Sequence, residues 1–126
     1  MRLLYIDDDR INTLLFEATC RLAGGFEVLS AGSGAEALDI LREFTPDVLV
    51  VDLHLPDTTG YLLLPALRGA IGRADVPAFL CSADEPTSVA EGAREAGFNG
   101  CWTKPVDLEA ILADLRRLGH EVGNTP

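Results

Sequence analysis

The run Val48-Leu49-Val50-Val51 has no face to offer water. Four consecutive apolar residues, three of them β-branched at Val, suit a strand buried on both sides. Such a strand needs a layer of structure above and below it, which restricts the chain to sheets covered on both faces. The run stops at Asp52, and a loop punctuated by Pro56 and Gly60 follows at once. A carboxylate closing a central parallel strand is lifted to the carboxyl edge of its sheet, where open α/β folds place ligands and chemistry. Taken alone, Asp52 reads equally well as a cap for the loop that follows, and the residues sharing its edge decide between the two.

The rest of the chain supplies the covering layers. Leu3 to Ile6 is an apolar run ending in Asp7-Asp8-Asp9. A helical pattern follows with Ile11, Leu14, Leu15, Ala18 and Leu22 as its inner face, closed by Gly24-Gly25. Phe26 to Ser30 is the second strand. The helix opened by Ser33-Gly34 has Ala35, Leu38 and Leu41 inward and ends before Pro46. After the central strand comes a helix over Tyr61 to Ile71, with Leu63, Ala66, Leu67, Ala70 and Ile71 inward. Pro65 requires that helix either to start late or to kink. Pro77 to Cys81 is the fourth strand, ending at Ser82. A weak helix follows Pro86, with Val89, Ala90, Ala93 and Ala96 inward and Gly97 as its stop. Gly100 to Thr103 is the last strand, and Asp107 caps a final helix with Leu108, Ile111, Leu112, Leu115 and Leu118 on one face.

Strict alternation of strand and helix implies a parallel sheet with right-handed crossovers. The expectation is one domain over 1–119 followed by a polar tail over 120–126, which holds His120. A net charge of −10 excludes a nucleic-acid or anionic-membrane surface. The apolar runs are too short to cross a bilayer, and no signal peptide precedes the first strand. Cys20, Cys81 and Cys101 lack metal-ligand spacing and are odd in number, so reduced thiols and a cytoplasmic location are expected. Cys81 and Cys101 fall on adjacent strands, where paired buried thiols are the expectation rather than a redox switch.

In this topology the strand ends gather Asp7 and Asp8, Asp52, Ser82 and Lys104, the chain's only lysine. Three carboxylates at one point repel each other and lose hydration when buried. A hard divalent ion such as Mg²⁺ relieves both. With a lysine and a hydroxyl to hold incoming oxyanions, the set describes a carboxylate that accepts a phosphoryl group: Asp52 as nucleophile, Lys104 and Ser82 as stabilisers.

The chain resembles the response-regulator receiver domain of two-component signalling. The resemblance covers nearly all of it and is carried by Tyr5-Ile6-Asp7-Asp8-Asp9, by Val51-Asp52-Leu53-His54-Leu55-Pro56 with Gly60, by Cys81-Ser82-Ala83 and by Thr103-Lys104-Pro105. It implies a flavodoxin-like three-layer α/β sandwich, a five-stranded parallel sheet of order 2-1-3-4-5 with five helices. It further implies that Asp52 takes phosphate from a histidine kinase or a histidine phosphotransfer protein. Asp8, Asp52 and the backbone carbonyl of His54 would ligate Mg²⁺ or Mn²⁺, with Asp7 acting through water. Ser82 would be the switch hydroxyl and Lys104 its partner on the phosphoryl group. Asp9 is read as a cap or solvent residue, and His54 as facing solvent beside the site.

His54 and Asp84 stand where the family tunes phosphate lifetime. The family's usual aromatic three residues before the lysine is replaced by Cys101, with Trp102 next to it. The segment from Leu53 to Asp57 looks like receivers of hybrid sensor kinases. The expected behaviour is that of a switch rather than a turnover enzyme, with only slow self-phosphorylation from small phosphodonors and slow autodephosphorylation. The signal is expected to leave through a downstream protein partner or a phosphotransfer domain, from a monomer or a phosphorylation-dependent dimer. Two alternatives stand beside this. One is a degenerate receiver that binds partners without phosphorylation, for which Cys101 leaves room. The other is a haloacid-dehalogenase-type phosphatase, which needs a second Asp where this chain has His54.

Overall fold

The computed structural model of the chain describes residues 1–84, 86–104 and 107–123; at 86 and 119–123 it describes the backbone alone. The strands are β1 (Arg2–Ile6), β2 (Glu27–Ala31), β3 (Val48–Asp52), β4 (Ala78–Ser82) and β5 (Gly100–Thr103). Between and after them come α1 (Arg10–Ala23), α2 (Gly34–Ile40), α3 (Gly60–Ile71), α4 (Pro86–Ala96) and α5 (Leu108–Gly123). All pairings are parallel and the order is β2-β1-β3-β4-β5, as the alternation requires. β3 is buried along its whole length at the centre. None of the described helices is long and apolar enough to cross a membrane.

The sheet divides the core in two. Leu4, Ile6, Leu49, Val51, Ala78 and Leu80 face α2, α3 and α4. Leu3, Tyr5, Val48, Val50, Phe79, Cys81 and Trp102 face α1 and α5. The register pairs Leu80 with Cys101 and Cys81 with Trp102. Side chains alternate across a strand, so the thiols of Cys81 and Cys101 lie on opposite faces and do not form the expected pair.

The helix faces depart from the simple stripes. On α1 the buried residues are Phe16 and Cys20, whereas Ile11, Leu14, Leu15 and Leu22 are 50–89% exposed. The stacked pair Tyr5–Phe16, with centroids 4.3 Å apart, decides which side of α1 meets the sheet. On α2 the buried positions are Gly34 and Ala37, and Ala35 faces out. α3 buries Leu63, Leu64 and Leu67 and leaves Ala66 and Ala70 exposed. It does not start late but runs through Pro65 from Gly60. Because proline has no N–H, the carbonyl of Tyr61 loses its intrahelical donor there. On α4 Val89 and Ala93 are buried and Ala90 is not. α5 continues through Gly123, past the tail boundary expected at 119, since one helical glycine costs only about 1 kcal/mol against alanine. Pro105, Val106 and the tail from 124 onward lie outside the described residues, as does the side chain of His120.

The amino edge of the sheet is stapled by Arg68. Its Nε and Nη2 donate to the Val76 carbonyl at 3.1 and 2.7 Å, and Nη1 donates to the Gly97 carbonyl at 2.9 Å. One guanidinium thereby ties α3 to the segments leading into β4 and β5. Arg68→Ala is expected to destabilise the fold by about 1–3 kcal/mol, because it strips donors from part-buried carbonyls. Urea denaturation should show a lower midpoint with an unchanged slope.

Candidate functional site

Four strands deliver polar residues to the carboxyl rim. β1 runs straight into Asp7, which is 3% exposed, and β3 ends in Asp52, which is 6% exposed. β4 ends in the buried Ser82, and Lys104 follows β5, its N–H donating to the Ser82 carbonyl at 2.8 Å. All five residues the sequence nominated (Asp7, Asp8, Asp52, Ser82 and Lys104) therefore lie along this one rim.

The Lys104 ammonium is placed between two buried acids. Its Nζ is 3.1 Å from Asp52 Oδ2 and 3.4 Å from Asp7 Oδ2. Carboxylate oxygens of Asp7, Asp8 and Asp52 all lie within 4.8 Å of one another. Burial pushes the Asp52 carboxyl above its ordinary range and the charge of Asp7 adds to this, outweighing the lowering by Lys104. Burial pulls the Lys104 ammonium down, but Asp52 and Asp7 more than compensate and hold it above the ordinary lysine value. The site thus carries more negative charge than its lysine can balance. An all-oxygen donor set of this kind suits a hard divalent cation.

Asp7 is the most engaged of the acids. Its Oδ2 accepts from the Tyr5 hydroxyl at 3.0 Å and from Asn12 Nδ2 at 3.5 Å, and its Oδ1 accepts from the Asp9 amide at 2.9 Å. Asp9 caps α1, its Oδ1 accepting from the amides of Ile11 and Asn12, in line with its reading as a cap. Asp8 is exposed. Ser82 Oγ accepts from the Asp84 amide at 3.0 Å and donates to no acceptor among the described residues. His54 and Asp84 face solvent, and His54 Nε2 lies 2.7 Å from Asp84 Oδ2, joining the loops after β3 and β4 across the mouth of the site.

Gly60 makes the rim possible. A Cβ there would lie 2.9 Å from the Asp52 carbonyl oxygen and 2.7 Å from Leu80 Cδ1, so α3 can start this close to the acid only without a side chain.

Sequence reasoning missed Asp57. Its two carboxylate oxygens accept from the Gly34 and Ala35 amides, each at 2.9 Å, fastening the loop after β3 to the first turn of α2. These hydrogen bonds hold the Asp57 carboxyl below the ordinary value of 3.8. Its folded value lies below its unfolded one, so the tie is present above the unfolded value and fades as pH falls through the folded one. Asp57→Ala should speed hydrogen exchange at the Gly34 and Ala35 amides at neutral pH, and the difference from wild type should vanish in strong acid. The Tyr5 and Asn12 contacts to Asp7 were missed as well.

The response regulator receiver domain model matches residues 3–116. The transcriptional regulatory protein KdpE of Mycobacterium tuberculosis is 36% identical over 115 residues, covering 90% of this chain and 48% of its own length. The virulence sensor protein BvgS of Bordetella pertussis is 31% identical over 120 residues, covering 91% of this chain and 10% of its own. The chain thus spans about half the length of the transcriptional regulators it matches, and far less of the sensor. Among solved structures, a putative response regulator from Chloroflexus aurantiacus superposes with a TM-score of 0.84 at 31% identity, covering 92% of this chain and 94% of that one.

Proposed function

Because this chain belongs to the response-regulator receiver domains of two-component signalling, we propose that Asp52 is its phosphoacceptor and that a phosphohistidine on a kinase or phosphotransfer protein is the donor. The observation that carries this reading is the Lys104 ammonium, 3.1 Å from Asp52 and 3.4 Å from Asp7, in a rim with excess negative charge. An Asp52 carboxylate oxygen forms a bond to phosphorus as the bond to the donor imidazole nitrogen breaks, and the electron pair returns to the imidazole. Asp8, Asp52 and the backbone carbonyl of His54 would hold Mg²⁺ or Mn²⁺, with Asp7, already engaged by Tyr5, Asp9 and Lys104, acting through water. When bound, the ion supplies charge neutralisation for the transferring phosphoryl oxygens. Lys104 pairs with one of those oxygens, and the Ser82 hydroxyl donates to another.

The donor approaches over α1. Ile11, Leu14 and Leu15 expose an apolar face on the first turns of the helix that starts at Asp9, and this patch suits the apolar side of a partner helix. The new charge at the rim then biases an existing equilibrium in the loop after β4, altering what binds downstream. The module acts as a switch with only slow self-phosphorylation and dephosphorylation of its own. The haloacid-dehalogenase reading gains nothing from the geometry, since His54 holds the position of the second acid and is engaged by Asp84.

Incubation with acetyl phosphate and Mg²⁺ followed by intact-mass measurement tests the reading. One phosphoryl adduct is expected, and none when EDTA replaces the metal. An unmodified wild-type chain under both conditions would overturn it.

A further inference from the structure

α4 carries a glycine at 92 for which its backbone has no need. Gly92 lies inside a helix and is absent from the residues with positive φ. Glycine in such a place costs roughly 0.5–1 kcal/mol against alanine. The space around it explains the choice. A Cβ on Gly92 would lie 2.7 Å from the Tyr61 hydroxyl oxygen and 3.0 Å from Tyr61 Cζ. The phenol of Tyr61, in the first turn of α3, therefore fills a notch in α4.

Tyr61 is partly buried against the core on the α2–α4 side of the sheet, where Cys101 packs too. Burial raises its phenol above the ordinary range, with the Cys101 thiol and the Asp84 carboxylate adding to the effect. Its hydroxyl makes no hydrogen bond among the described residues. The contact with α4 is steric, a ring end against backbone.

Three residues separate Ser82, the last of β4, from Pro86, the first of α4. The link is further shortened because the Asp84 amide donates to Ser82 Oγ. A displacement of α4 away from the sheet thus pulls on Ser82, the residue that ends β4 at the rim. Val89 and Ala93 seat α4 on the core, and Tyr61 meets it between them, at Gly92.

We infer that Tyr61, reaching from α3 into the Gly92 notch, is a positioning residue for the phosphoryl site: it sets the height of α4 and, through the 83–85 link, the reach of Ser82. The inference rests on the phosphoacceptor reading, because it concerns what Ser82 does there.

A double-mutant cycle tests it with beryllofluoride and Mg²⁺ as the phosphoryl mimic, read by the amide signals of Ser82 and Asp84 during titration. Gly92→Ala forces the Tyr61 ring and the α4 backbone apart and should weaken beryllofluoride binding at least fivefold, the lower end of a typical coupling. Tyr61→Ala removes the obstacle, so Gly92→Ala made in that background should change the affinity less than twofold. Tyr61→Ala alone leaves α4 free to settle and should itself shift the affinity, which keeps the test open if Gly92→Ala folds poorly. A purely structural role predicts something else: lower thermal midpoints with the affinity of every variant within twofold of wild type. That result, or an equal effect of Gly92→Ala with and without Tyr61, would overturn the inference while leaving the phosphoacceptor reading intact. A wild-type chain that does not respond to beryllofluoride overturns both.

Discussion

Asp52→Asn should stay at its unmodified mass in acetyl phosphate and Mg²⁺, under conditions in which the wild type gains a phosphoryl group. The substitution keeps the shape of the side chain and removes the carboxylate whose Oδ2 lies 3.1 Å from Lys104 Nζ. Asp7 does not replace it, because its oxygens already serve Tyr5, Asp9, Asn12 and Lys104. The same variant should be more stable than wild type in the absence of metal. The folded-state pKa of Asp52 is raised above its unfolded value, chiefly by burial and then by Asp7. The ionised group therefore costs stability above the unfolded value, and the cost fades as pH falls through the raised folded value. A gain at neutral pH that disappears in acid is expected in denaturant titrations. An adduct on the Asn variant equal to that on the wild type would remove Asp52 from its role.

Lys104→Ala should slow phosphoryl uptake about 10²–10³-fold, the usual loss when one preorganised partner of developing charge is deleted. It should at the same time bind Mg²⁺ more tightly. Three carboxylates and one ammonium meet at the rim, and the variant leaves the carboxylates without their cation. Opposite movements of metal affinity and reaction rate are the diagnostic outcome. If both fell together, the lysine would be serving the architecture of the rim rather than the chemistry. Without metal the variant should also be destabilised, since two buried acids then face each other unpaired.

The residues of the rim were legible because each ends a strand, and parallel topology sends all such ends to one edge. Asp7, Asp52, Ser82 and Lys104 needed no knowledge of helix packing. The helices were less legible. α1 holds two apolar sets, one with Ile11, Leu14, Leu15 and Leu22 and a smaller one with Phe16 and Cys20. Periodicity favours the larger set, yet the ring of Tyr5 on the sheet selects the smaller. Contacts between distant residues left no local trace. Asp57 reaches amides 22 and 23 residues earlier, and the meeting of Tyr61 with Gly92 depends on how two helices lie side by side.

The alternation of side chains along β5 also decides what an optical experiment on this chain can see. Trp102 is its single tryptophan. The indole stacks on Phe79 at 4.6 Å and its Nε1–H donates to Asp114 at 2.9 Å, which places the fluorophore in the layer beneath α5. Tyr61, Gly92 and Cys101 occupy the other layer, with the sheet between. Tryptophan emission is therefore a sensor of how α5 is seated and is screened from α4. A flat fluorescence trace on activation would report a quiet back layer, and motion in the front layer has to be followed by a probe placed there.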